Sequence, residues 1–142
     1  MRAEIRSMTA ADYAEVLALW EGSPGVGLSE SDTRDGVVAF LRRNPDLSVV
    51  AVAGGSVVGA VLCGHDGRRG YLHHLAVDES QRRRGIAREL LARCERSLAD
   101  CGIPKCNVFL FSDNEPGAAF WRHNGWSPRG DLRVFQKPLA RP

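Results

Sequence analysis

Two stretches in this 142-residue chain carry groups that could do chemistry. The first is Gln81-Arg82-Arg83-Arg84-Gly85-Ile86-Ala87-Arg88, between an apolar strand-like run and an amphipathic helical one. The first N–H groups of a helix lack partners and carry the positive end of its dipole. Gly85 has no side chain and Ala87 almost none, so an anion can come close to those amides. Arg82, Arg83, Arg84 and Arg88 crowd an end where cations are unfavourable for the helix itself. That mismatch points to a bound anion. A solvated arginine run is the plainer reading, and R-x-x-G-x-A alone leaves both open. The spacing is neither a G-x-x-x-x-G-K-[ST] phosphate loop nor a G-x-G-x-x-G dinucleotide turn. The second place is Gly70-Tyr71-Leu72-His73-His74-Leu75-Ala76-Val77. Strand alternation puts Tyr71, His73, Leu75 and Val77 on one face and turns His74 to the other. An imidazole titrates near neutral pH, which makes His73 a candidate general base, with a role-free strand histidine as the alternative. Glu21, just past the first predicted helix, is a second candidate.

The bulk numbers narrow the classes. With 44% hydrophobic residues, the chain suits one domain, residues 1–142, around one core. The 19 basic and 17 acidic residues nearly balance, at a formal net charge of +2. A polyanion binder is usually more lopsided, so no nucleic-acid partner is expected. The N-terminal stretch is polar, without the apolar core of a signal peptide. The runs VVAVA and VVGAVLC are too short to span a bilayer. The expectation is a cytoplasmic protein with no membrane partner. Cys63, Cys94, Cys101 and Cys106 show neither a C-x-x-C pair nor metal-ligand spacing, so no metal is expected. They read as buried free thiols, with Cys94 and Cys101 on the apolar side of one helix.

Those residues need elements to position them. Residues 3–8 read as a short strand. Thr9-Ala-Ala-Asp12 is a capping-box variant opening a helix to about Trp20, with Tyr13, Val16, Leu17 and Trp20 on one face. A second helix is predicted over residues 31–43, ended by Asn44-Pro45. Strands over 47–53 and 56–65 flank Gly54-Gly55, the composition of a tight hairpin. A turn over 65–70 leads to a strand over 71–77, which completes an antiparallel meander. Ile86, Leu90, Leu91, Cys94 and Leu98 then recur at helical spacing, up to Gly102. A strand over 105–111 after this helix suggests a right-handed crossover and a parallel pair. Asp113 or Asn114 caps a last helix with Pro116 in its first turn, and Asn124-Gly125 ends it. Residues 132–137 read as a final strand. Trp20, Phe40, Phe109, Phe111, Phe120 and Trp126 fall mostly at core spacing. The fold class is a mixed α/β sheet with about four helices.

Two motifs then give a resemblance. Leu75-Ala76-Val77 followed by Arg82-Arg83-Arg84-Gly85-Ile86-Ala87 is similar to the first signature of the GCN5-related N-acetyltransferase (GNAT) superfamily. Asn114-Glu-Pro-Gly117-Ala-Ala-Phe120-Trp121-Arg-His-Asn-Gly125-Trp126 resembles its second. The element order resembles the family over essentially the whole chain, and its small bacterial YpeA-type members most. The resemblance implies acetyl-CoA as acyl donor and an amine acceptor. It implies a pyrophosphate on the amides of Arg83, Arg84, Gly85, Ile86, Ala87 and Arg88, and a pantetheine arm along Leu75, Ala76 and Val77. It implies a gap between two splayed strands, and cofactor contacts from Asn114 and Trp121. Many members form dimers, so a homodimer is compatible.

Acyl transfer to an amine needs a neutral amine, donors for the developing oxyanion, and an outlet for the thiolate. In the family, bases often stand where Tyr71 and His73 stand here. A backbone N–H near Val77 is a candidate oxyanion donor. Placing both substrates in contact supplies much of the rate, so a strict base is not obligatory. Trp121 occupies a position where the family often has a tyrosine, and an indole N–H donates but is no acid at neutral pH. That departure leaves open a CoA-binding module without catalysis. Acceptor choice is expected in the loop over 21–30, which spells out no substrate.

Overall fold

The computed structural model describes residues 2–140. Its elements run β1 (Glu4–Ser7), α1 (Tyr13–Glu21), α2 (Arg34–Arg43), β2 (Val49–Ala53), β3 (Ser56–His65), β4 (Gly70–Val77), α3 (Ile86–Asp100), β5 (Cys106–Val108) and α4 (Glu115–His123). Two compact units meet in sequence between Phe111 and Ser112. The first holds a five-stranded sheet in the order β1-β2-β3-β4-β5. Its first four strands are antiparallel neighbours, and β5 joins β4 in parallel. Among the described residues no helix is long and apolar enough to cross a membrane.

Alternation along the strands sorts the side chains into two layers. On one face Val50, Ala60, Leu62 and Ala76 pack with Met8, with Val16 and Trp20 of α1, and with Val37 of α2. On the other, α3 lies so close that a Cβ added at Gly59 would stand 3.1 Å from Ile86 and 3.2 Å from Leu90. The α3 stripe is buried throughout, at Ile86, Leu90, Leu91, Cys94 and Leu98. Gly54 and Gly55 both have positive φ, 59° and 79°, as a two-residue hairpin of mirror-image turn type requires.

Side-chain caps set the entrances. Thr9 N–H donates to Asp12 at 2.8 Å, and Arg6 grips the same carboxylate with two 2.8 Å hydrogen bonds. The guanidinium beside it holds the Asp12 carboxyl below its ordinary range. The second helix starts at Arg34 rather than Ser31. Ser29 and Asp32 close their own capped 3-10 turn first, over Glu30–Asp32. Thr33 is then extended, and its hydroxyl accepts from Gly36 N–H at 3.1 Å.

Three other expectations are corrected. The strand expected over 105–111 is only Cys106–Val108, because β4 offers it three partners, Gly70, Tyr71 and Leu72. Phe109 and Phe111 beyond it are 62% and 60% exposed rather than core. Residues 132–137 form no strand, and Leu132, Val134 and Phe135 are exposed. A β-prone pattern becomes a strand only with a ladder partner. Cys101 lies just past the end of α3 and is exposed, while Cys63 and Cys94 are buried and Cys106 half-buried; all four are free.

The core of this first unit turns on Leu90, which is fully buried. Leu90→Ala should cost about 3 kcal/mol of unfolding free energy, read from the urea midpoint at constant m-value.

Candidate active site

The site begins where the β4–β5 ladder stops. The parallel pairs are Gly70–Cys106, Tyr71–Asn107 and Leu72–Val108. From His73 onward β4 keeps β3 on one side, and among the described residues no strand pairs with its other edge. Free N–H and C=O groups on such an edge can receive an extended ligand arm as an added strand.

The same stretch carries an irregularity that alternation does not foresee. Leu62 faces His73 and Ala60 faces Ala76, so Val61 stands opposite two residues, His74 and Leu75. This is a β-bulge, and His74 adopts φ +58° within it. A non-glycine residue in that region costs on the order of 1–3 kcal/mol, which the surroundings must offset. They do so at three points. Trp20 Nε1–H donates to the His74 carbonyl at 2.8 Å. The Trp20 and His74 rings meet edge to face at 5.0 Å. His74 Nε2 lies 3.0 and 3.1 Å from the two oxygens of buried Asp32.

The bulge overturns the predicted face assignment. Tyr71 pairs with Gly64, whose missing Cβ would meet Phe40 and Asn44 on the α2 side. Val77 pairs with Gly59, whose missing Cβ would meet α3. Val77 therefore lies on the face opposite Tyr71 and His73. His74 does not turn away: its ring lies 6.4 Å from that of His73, on the Trp20 side. One inserted residue breaks the period of two.

Tyr71 and His73 do come together, stacked at 6.4 Å with their planes 8° apart. Phe40 meets His73 edge-on at 5.9 Å, and Phe109 stacks on Tyr71 at 6.0 Å. Burial pushes the His73 imidazole below its ordinary value, and repulsion from His74 adds to this; Asp32 pulls the other way. Together these effects favour the neutral form of the His73 imidazole. Glu21 ends α1 exposed, and no hydrogen bond joins it to either histidine among the described residues.

Beyond Val77 the chain makes a 3-10 turn capped by Asp78, whose carboxylate accepts from Ser80 N–H at 2.9 Å. Arg82, Arg83, Arg84, Gly85 and Arg88 are exposed around the start of α3. Arg83 has φ +66° and Gly85 φ +78°. No side chain caps Gly85, and the first backbone bond of the helix is Glu89 N–H to Gly85 O at 3.0 Å. Among the described residues the amides of residues 83–88 have no backbone partner and are left for an outside acceptor. A Cβ at Gly85 would meet nothing within 4 Å, so the approach is open. Ile86 and Ala76 turn their side chains into the core and can offer a ligand only backbone. This donor set fits a diphosphate, and the edge at Leu75 and Val77 fits an amide-bearing arm.

The second unit holds the other two predicted residues. Asn114 caps α4, accepting from Gly117 N–H at 3.0 Å. A Cβ at position 117 would stand 2.6 Å from the Asn114 side chain, which accounts for glycine there. Trp121 packs edge-to-face on Phe120 and Trp126, at 5.4 and 4.8 Å.

A family profile described as "Acetyltransferase (GNAT) family" matches residues 13–126. The chain belongs to the GNAT family. It is 38% identical over 136 residues to acetyltransferase SG1711 of Sodalis glossinidius, covering 96% of this chain and 95% of that one. The PaiA N-acetyltransferase of Thermoplasma acidophilum, solved with coenzyme A, shares the fold at TM-score 0.77 and 19% identity, over 88% of this chain and 89% of its own. AAC(6')-Iy, solved with the bisubstrate analogue CoA-S-monomethyl-acetylneamine, matches at TM-score 0.74 and 19% identity, over 98% and 100%. This GNAT protein is an acetyl-CoA-dependent N-acetyltransferase, and the alternative of a non-catalytic CoA module gives way.

The two residues missed by sequence reasoning are His74 and Asp32. The Ser29-x-x-Asp32 capping pattern was a usable signal for Asp32, hidden by starting the helix at Ser31. His73 also has a consequence for stability. Its folded imidazole resists protonation while the unfolded one titrates near 6.5, so the unfolded state binds more protons between the two values. Stability should therefore rise with pH through that window and level off above it. His73→Gln should lack this increment when urea unfolding is followed as the pH rises toward and past 6.5.

Proposed function

We propose that this GNAT enzyme works as a single domain over residues 1–142, forming a ternary complex in which a primary amine attacks acetyl-CoA directly. The family match over 13–126 crosses the boundary between the two compact units and supports one domain. The observation that carries the reading is the run from an unpaired β4 edge at His73–Val77 into an uncapped α3 start. Acetyl-CoA, when bound, supplies an activated acetyl thioester. Leu75, Ala76 and Val77 offer backbone groups to its amide-bearing arm. The amides of residues 83–88 hold the pyrophosphate, and Arg82, Arg83, Arg84 and Arg88 neutralise its charge. Asn114 and Trp121 are assigned to the cofactor side through the family's second signature, with the Trp121 indole as a donor rather than an acid.

His73 takes the proton of the attacking amine, directly or through one water, and Tyr71 fixes the plane of its ring. A backbone N–H near Val77 donates to the acetyl oxygen as charge builds there. Glu21 is assigned to the acceptor side, as an electrostatic partner for a cationic amine. AAC(6')-Iy supports the two-substrate arrangement, since its bisubstrate analogue joins CoA to an amine-derived group. Four free cysteines and dependence on acetyl-CoA support a cytoplasmic location.

Gly85→Glu places a carboxylate and its side chain at the anion end of α3. The left-handed backbone at position 85 should lower the thermal midpoint without ligand by a few degrees. Calorimetric titration with acetyl-CoA, run well below that midpoint, should show at least a hundredfold loss of affinity; unchanged affinity would refute the pyrophosphate placement. With an amine panel and free-thiol detection, His73→Ala should lose the acidic limb of the kcat/KM profile. A limb that survives this substitution removes His73 from the base role.

A further inference from the structure

Asp32 and His74 form a part-buried pair with no role in the scheme above. The His74 and Asp32 side chains are 17% and 7% exposed, and they bridge 42 residues of sequence. Asp32 closes the segment between α1 and α2, where its carboxylate also accepts from Ser29 N–H at 2.9 Å. Its carbonyl accepts from the Tyr13 hydroxyl at 2.6 Å. His74 is the left-handed residue of the β4 bulge, directly after His73. A helix cap needs only an acceptor for Ser29, and a bulge needs only a residue tolerant of positive φ, for which glycine or asparagine serves. A histidine reaching that carboxylate at two oxygens exceeds both needs.

Resting on the reading of His73 as proton acceptor, we propose that the His74–Asp32 pair is a positioning pair for the acetyl-transfer step. It clamps the β4 bulge to the α1–α2 segment and so sets the ring of His73 and the field around it. Neither residue takes the amine proton itself. Among the described residues, the titratable groups that meet the pair are His73 on β4, against His74, and Tyr13 on α1, against Asp32; Tyr71 stacks in turn on His73, and the Arg34 guanidinium lies 5.9 Å from the Tyr13 ring centre. The two members act on His73 with opposite sign: His74 disfavours its protonation and Asp32 favours it.

The test needs no acceptor. The C2–H resonances of the four histidines are followed against pH by NMR, with His73 assigned from its loss in His73→Gln. His74→Asn keeps a residue that tolerates positive φ and removes the imidazole. Asp32→Asn keeps an acceptor for Ser29 N–H and removes the anion. The His73 midpoint should move up in His74→Asn and down in Asp32→Asn, while circular dichroism confirms that both fold. Midpoints that stay put in both folded variants, or that move in the same direction, overturn the proposal. A variant that fails to fold is replaced by His74→Gln or Asp32→Glu, read in the same way. The base reading fails separately, through an acidic limb of kcat/KM that survives His73→Ala, so the two ideas fall on different results.

Discussion

One extra residue in β4 organises the site. Val61 of β3 faces both His74 and Leu75, and the strand must absorb that residue locally. A bulge bends its strand and increases its twist. The β4–β5 ladder ends two residues before it, at Leu72 and Val108. The two strands part there, and the free edge of β4 runs on to Val77. The bulge also resets the alternation, so His73 and His74 share the α1–α2 face while Val77 joins the α3 face. Without the extra residue, the base candidate and the ligand edge would occupy a single unbroken face.

The strain of that bulge is held by burial. Trp20 is 1% exposed and spends its only donor on the His74 carbonyl. The indole thus joins the core of α1 to the backbone of the bulge. Nearby, Arg83 and Gly85 hold the second irregular backbone of the site, at positive φ, ahead of an uncapped helix. Between these two irregularities lie the regular strand end at Leu75–Val77 and a short capped turn. The chemistry sits where regular structure is interrupted, and the interruptions are supported by α1 and α3.

Much of this was legible in the sequence. The α3 stripe from Ile86 to Leu98 has the period of a half-buried helix, and all five of its apolar residues are buried. The Gly54-Gly55 hairpin and the Asn114 cap follow from local chemistry that tertiary context seldom overrides. The anion end of α3 was legible because four arginines stand where the dipole disfavours them. The bulge was not. Gly-Tyr-Leu-His-His-Leu-Ala-Val is β-prone throughout, and nothing local marks which residue takes φ +58°. That choice is made by Trp20 and Asp32, 54 and 42 residues away. The strand over 105–111 failed for a related reason, since its length depends on how far β4 stays beside it. Phe109 and Phe111 carry the pattern of a strand interior, yet the ladder ends at Val108.

The account rests on acetyl-CoA lying along the β4 edge and on the first turn of α3. Amide hydrogen exchange, measured with and without saturating acetyl-CoA, tests it most directly. Slowed exchange concentrated at Leu75–Val77 and over residues 83–88, with β1 and β2 unchanged, is the predicted result. Protection elsewhere with those amides unaffected would contradict it.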